Sequence, residues 1–211
     1  MCGRGSLTKV ESELEERFDA TFYSEDLERY NPLPSFNVAP THFHPVITQE
    51  DAQHFQYFKW GMIPFWAKDA KIGSKMINAR IETLLEKPFY KSSLEKRRCL
   101  VPMDGFYEWK KTNGKHKKPM RIKVLNQDVF FMAGLYDHWK DPSGQLIHSF
   151  TIITQAANSF MESIHDRMPS LLMPDVEKLW IQDGLSIAQS GHAHRRRRSS
   201  RARDRRHAGS R

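Results

Sequence analysis

From Arg98 onward the pattern of apolar positions becomes strongly β, with short apolar runs bounded by turn residues. Leu100-Val101 begins it, and Gly105 to Lys110 continues it. Thr112-Asn113-Gly114-Lys115 is a tight-turn signal that predicts a hairpin, returning near Met120 to Leu125. Further strands are expected over Val129 to Leu135 and Leu146 to Thr154, separated by the turn residues Asp141-Pro142-Ser143-Gly144. Upstream, Val46 to Thr48, His54 to Trp60 and Met76 to Ile81 read as strands. Helical spacing is rarer. Val10, Leu14 and Phe18 behind a Thr8-Lys9-Val10-Glu11 capping pattern predict a helix over residues 8–19. Helical stretches are also expected over Ile81 to Leu94 and Ala156 to Glu162, and from Pro174 through Trp180 with Asp175 as cap. Residues 24–45 read as a long loop. Many strands and few helices, not alternating, predict an α+β domain with a mostly antiparallel, barrel-like sheet and flanking helices.

Composition and charge sharpen this picture. The 211 residues, 39% hydrophobic with five Trp, suit one domain with a real core. No run approaches the roughly 18 apolar residues of a membrane helix, and no apolar signal region follows Met1. A cytoplasmic or nuclear protein with no membrane partner is expected. The net charge of +8 is local: His192 to Arg211 hold nine Arg and one Asp, which leaves 24 basic against 24 acidic side chains elsewhere. Domain 2–186 is thus expected to be neutral, followed by a disordered, low-complexity Arg-rich tail at 187–211. Such a tail can hold nucleic acid by counterion release without specificity.

Cys2 carries the most distinctive chemistry. A small second residue permits removal of Met1, which leaves an α-amine and a thiol on adjacent carbons. Their reference pKa values, about 7.7–8.0 and about 8.5, keep part of each nucleophilic near neutrality. Such an aminothiol condenses with an aldehyde to a five-membered thiazolidine. The only other cysteine, Cys99, lies in an apolar strand pattern and reads as a core residue. Trp60-Gly61-Met62-Ile63-Pro64-Phe65-Trp66 is either buried core or an exposed wedge on which unstacked bases lie. Asn78-Ala79-Arg80 combines an amide with a phosphate-binding fork, though by itself it reads as a turn with a surface Arg. By alternation Glu108 shares a face with Asp104, Phe106 and Lys110. It is either on the solvated side or a partly buried acid suited to proton transfer. His165, in Ile164-His165-Asp166-Arg167-Met168-Pro169, is either a solvated loop histidine or a general acid–base. No spacing of Cys and His fits a metal site, so neither metal nor cofactor is expected.

These segments, in this order, resemble the SRAP (SOS-response-associated peptidase) family, whose members shield abasic sites in single-stranded DNA. The resemblance rests on Cys2-Gly3-Arg4, Asn37-Val38-Ala39-Pro40, Trp60 to Pro64, Asn78 to Thr83, Arg98-Cys99, Asp104 to Trp109, Phe150 to Thr154 and Ile164 to Pro169. It implies a catalytic set of Cys2, Asn78, Glu108 and His165. Arg4 and Arg80 are implied to grip phosphates, and Pro40, Trp60 and Trp66 to pack on bases. The implied partner is single-stranded DNA containing an abasic site, bound by a monomer. An alternative is a cysteine-type peptidase that removes its own N-terminal residue or acts on other peptides; peptide turnover abolished by Cys2→Ser would select it. A third reading is a non-covalent single-strand binder whose affinity ignores both the lesion and Cys2. Family members continue past the last helix into a closing strand. After Gln182 to Ser186 this chain shows no counterpart, and a truncated or frame-shifted end is expected.

Overall fold

The computed structural model describes residues 2–30, 32–112, 114 and 116–184. In chain order the elements are β1 (Gly5–Leu7), α1 (Glu11–Phe18), β2 (Thr21–Phe22), α2 (Ser24–Arg29), β3 (Ser35–Val38), β4 (Phe43–Thr48), β5 (His54–Trp60), β6 (Asn78–Arg80), α3 (Pro88–Lys96), β7 (Arg98–Met103), β8 (Gly105–Lys111), β9 (Lys117–Ile122), β10 (Phe130–Lys140), β11 (Leu146–Ala156), β12 (Arg167–Pro169) and α4 (Pro174–Trp180). The expected domain boundary after residue 186 and the Arg-rich tail lie outside the described residues.

A closed barrel is the centre of the fold. Strands β11, β10, β7, β4 and β5 pair in that order, all antiparallel, and β5 then pairs with β11 in parallel to close the ring. Closure leaves these strands no open edge to template aggregation. Alternation sorts their side chains into two sets. Phe58, Trp60, Val101, Met132 and Phe150 form one buried cluster, which fills the interior. Ile47, Phe55, Leu100, Phe131 and Leu135 form the other, together with Leu14 and Phe18 of α1, Tyr90 and Leu94 of α3 and Trp180 of α4. That second set is the barrel's outer face under the helices. Each such side chain contributes about 1.5–3 kcal/mol by leaving water.

A second, four-stranded sheet in the order β3-β1-β8-β9 continues from β7 through a bend at Asp104. It places the N-terminal strand against β8, with Gly5 opposite Phe106.

Several expectations are corrected. Residues 24–45 are not a loop: they hold α2, β3 and the start of β4. Helix α1 starts later than residue 8, with Val10 at its N-cap and the Val10 N–H donating to Glu13 Oε2 at 3.1 Å. Thr8 instead binds Asp104, a tertiary partner that outweighs the local cap. The stretch 156–162 contains only a short 3-10 turn at Met161–Ser163. In α4 the cap position is Met173, and Asp175 lies in the first turn behind Pro174 at the helix start.

Two buried polar residues tie the fold together. Arg98 is fully buried and donates to Leu94 O (2.6 Å), Trp180 O (2.6 Å) and Gln182 O (2.7 Å). One guanidinium thus satisfies carbonyls at the C-terminal ends of both α3 and α4, where the helix dipole favours a cation.

His44, in β4, hydrogen-bonds through Nε2 to Pro102 O at 2.8 Å, and burial lowers its pKa to about 4. The unfolded chain binds a proton near pH 6.5, the native state only near 4, so stability falls as pH drops through that window. The loss is on the order of 3 kcal/mol. Thermal unfolding of His44→Asn, which keeps an N–H for Pro102, is expected to show a flatter pH dependence between 6.5 and 4 than the wild type. Parallel pH profiles for the two proteins would refute this assignment.

Candidate active site

The site forms where the N-terminal strand meets β8 at the barrel's end. The Tyr107 N–H donates to Arg4 O at 2.9 Å, continuing the β1–β8 ladder toward the N-terminus. Antiparallel pairing carries Gly3 and Cys2 alongside Glu108. Cys2 is 1% exposed and packs in the interior cluster with Val38, Trp60 and Phe106. Asn78, on β6, donates from Nδ2 to Cys2 O at 2.8 Å. Strand β6 itself is fixed by parallel pairing to β11, Asn78 opposite Ile152. The Asn78 Oδ1 is buried and has no hydrogen-bond partner among the described residues. Burial pushes the Cys2 thiol up to about 12, and the Glu108 carboxylate adds to the rise, while the Arg4 N–H opposes it. A thiol in that environment reacts only if a neighbour takes its proton.

Glu108 is buried, which resolves the two sequence readings in favour of the enclosed acid. Its Oε2 lies 3.9 Å from His165 Nε2. His165 Nδ1 has two contacts of opposite demand: it accepts from the Arg167 N–H at 3.0 Å and lies 2.8 Å from Asp166 Oδ1. The backbone N–H is a fixed donor, whereas Asp166 is exposed and solvated. The Arg167 contact needs a bare Nδ1 and the Asp166 contact a protonated one, so Nδ1 serves one of them at a time, while Nε2 faces Glu108. Arg167 holds this turn in place. It grips Glu82 with two bonds (2.6 and 3.0 Å) and donates to Thr154 O at 2.8 Å. The Arg167 hydrogen bond holds the Glu82 carboxyl below its ordinary range.

Of the sequence-named residues, Cys2, Asn78, Glu108 and His165 are thus brought together. Arg4 is half-buried and Arg80 exposed. Trp60 requires a correction: it is fully buried, donates from Nε1 to Ile77 O at 3.0 Å and stacks on Phe150, so it presents no face to a base. Its backbone does hold the turn that carries half-buried Pro40, accepting from the Thr41 N–H (2.8 Å) and donating to His42 O (2.9 Å). The exposed members of that loop are Phe65, at 65%, and Trp66, at 56%. The loop is rigidly seated. A side chain on Gly61, which has φ +120, would meet Gly73 O at 2.7 Å. The Phe65 N–H donates to Asp137 Oδ2 at 3.0 Å.

Sequence reasoning missed the anchor of the N-terminal strand. Buried Asp104 accepts from Ser6 Oγ (2.6 Å), the Thr8 N–H (2.8 Å), the Thr8 hydroxyl and Arg121 Nη2 (2.9 Å). Burial alone would raise its pKa; these donors outweigh it and hold the carboxyl below its ordinary value. The only sequence signal was an acid placed next to the strand that carries Glu108. A cavity of about 400 Å³, lined in part by Tyr30, Phe43, Tyr57 and His148, contains none of the four catalytic candidates. Among the described residues no cluster of three or more His, Cys, Asp or Glu could hold a metal, and no helix is long and apolar enough to cross a membrane.

Cys2 thus sits in the buried interior cluster with its thiol beside buried Glu108, which faces His165. The profile of the family described as SOS response associated peptidase (SRAP) matches residues 1–201, and the chain belongs to that family. It is 44% identical over 182 residues to the abasic site processing protein YoqW of Bacillus subtilis (strain 168), covering 86% of this chain and 80% of that one. Over 190 residues it is 34% identical to the abasic site processing protein HMCES of Xenopus tropicalis, covering 75% of this chain and 56% of that one. A crystal structure of a protein from Bacteroides thetaiotaomicron superposes with a TM-score of 0.84 at 31% identity, over 91% of this chain and 86% of that one.

Proposed function

We propose that this protein captures abasic sites in single-stranded DNA covalently, through a thiazolidine made by the mature N-terminal Cys2. The observation that carries the reading is the seat of Cys2: its carbonyl is held by Asn78 and its thiol lies beside buried Glu108, itself facing His165. An abasic sugar exposes a C1′ aldehyde when its cyclic hemiacetal opens. Opening moves a proton from the C1′ hydroxyl to the ring oxygen, and His165 Nε2 and Glu108 supply the donor and acceptor. The Cys2 amine then adds to C1′, and loss of one water gives the imine. The thiol adds across the C=N bond, its proton passing by way of Glu108 to the nitrogen. The net change is aldehyde plus aminothiol giving thiazolidine plus one water. Holding amine, thiol and aldehyde together converts a slow bimolecular reaction into an intramolecular one. Arg4 and Arg80 hold flanking phosphates. Pro40, Phe65 and Trp66 offer apolar surface to unstacked bases, each stack worth about 1–3 kcal/mol.

Intact-mass spectrometry after incubation with a single-abasic oligonucleotide tests this. The expected product is the protein without Met1, plus the oligonucleotide, minus one water, attached at Cys2. Correctly processed, folded protein that stays at its own mass would end the proposal.

A further inference from the structure

Between Trp109 and Gln127 the sequence holds seven Lys and Arg residues and no Asp or Glu. The β8–β9 ladder places two lysine pairs directly across from each other, Lys110 opposite Lys118 and Lys111 opposite Lys117. Like charges in that position destabilise a hairpin. Among the described residues none of these four lysines is in an ion pair, whereas nearby Arg121 is committed to Asp104. The two pairs also differ in the face they occupy. Residues two apart on a strand share a face, so Lys110 lies on the face of Glu108, and Lys118 shares it with Met120, the partner of Glu108. Lys111 and Lys117 lie on the opposite face with exposed Trp109. Strand geometry puts the Lys110–Lys118 pair about 7 Å beyond Glu108. The N-terminal segment bearing Cys2 runs in that same direction along β8.

We infer that Lys110 and Lys118 form a phosphate clamp, a second binding surface that holds the backbone of single-stranded DNA as it leaves the Cys2 site. This extends the capture reading above by naming how the strand is held away from the lesion. An unneutralised cross-strand lysine pair costs stability in the unbound protein, and a polyanion laid along that face removes the cost.

The test compares full-length wild type with Lys110→Gln/Lys118→Gln in equilibrium binding to an undamaged single-stranded oligonucleotide across a salt series. Loss of two phosphate contacts is expected to make the slope of log affinity against log salt shallower by about 1.4. The Arg-rich C-terminal segment is present in both proteins and drops out of the difference. The variant is expected to melt at or above the wild-type temperature, because a repulsion has been removed. An unchanged slope in a folded variant overturns the clamp. Lys111→Gln/Lys117→Gln, on the other face, is expected to change the slope by less; an equal change overturns the assignment to the Glu108 face. A slope change on duplex DNA but not on single strands overturns the choice of ligand. Wild-type capture of an abasic oligonucleotide, followed in parallel, reports separately on the thiazolidine chemistry, because the clamp is read on undamaged DNA.

Discussion

Cys2→Ala is expected to form no DNA adduct that survives denaturation, yet to retain a Schiff base that borohydride can fix. The alanine variant still acquires a free α-amine once Met1 is removed, and that amine alone makes an imine. Without the thiol the imine has no ring to close and hydrolyses. A residue inserted ahead of Cys2 turns the amine into an amide, and both the stable adduct and the reducible one are then lost. The expected contrast is therefore complete loss against loss rescued by reductant, read on a denaturing gel. The fold should survive, since removing one sulfur at a buried site costs about 1 kcal/mol. A denaturation-stable adduct in Cys2→Ala would move the chemistry to another nucleophile.

Glu108→Gln separates two roles that predict opposite signs. The carboxylate raises the Cys2 thiol pKa, so if that field were its whole effect, removing the charge would speed thiol attack. If Glu108 instead moves protons in ring opening and ring closure, the neutral amide slows adduct formation by about 10²–10⁴-fold. The second outcome is expected, because Glu108 lies both beside the thiol and 3.9 Å from His165 Nε2. Single-turnover rates decide it, with binding to undamaged DNA measured alongside to show that the surface is intact. A rate equal to or above wild type would reduce Glu108 to a structural residue.

Much of the sheet could be read from the chain because its signals are local. Asn113-Gly114 signals a hairpin, and β8 and β9 pair on either side of it, while short apolar runs bounded by turn residues mark β7, β8, β10 and β11. The Thr8 cap failed for the opposite reason. Its hydroxyl and N–H found a buried carboxylate 96 positions away, and local spacing holds no record of such a partner. Trp60 failed similarly: an aromatic in a Gly-Pro loop is equally suited to core or surface, and only closure of β5 on β11 placed it inside. Phe65 and Trp66 stay outside, beyond a point where the backbones of Gly61 and Gly73 pass too closely for either to carry a side chain.

Short segments alone revealed the candidate reactive group, the residue types around it and the strand-rich class, because functional-group chemistry and local residue pattern need no distant partner. That Cys2, Asn78, Glu108 and His165 meet is visible only in the folded chain. They come from four separate segments of the chain, and their convergence depends on ring closure between β5 and β11, the buried Asp104 anchor and the Arg167–Glu82 clasp. Those are contacts between residues far apart in sequence, and their geometry exists only once the barrel has formed.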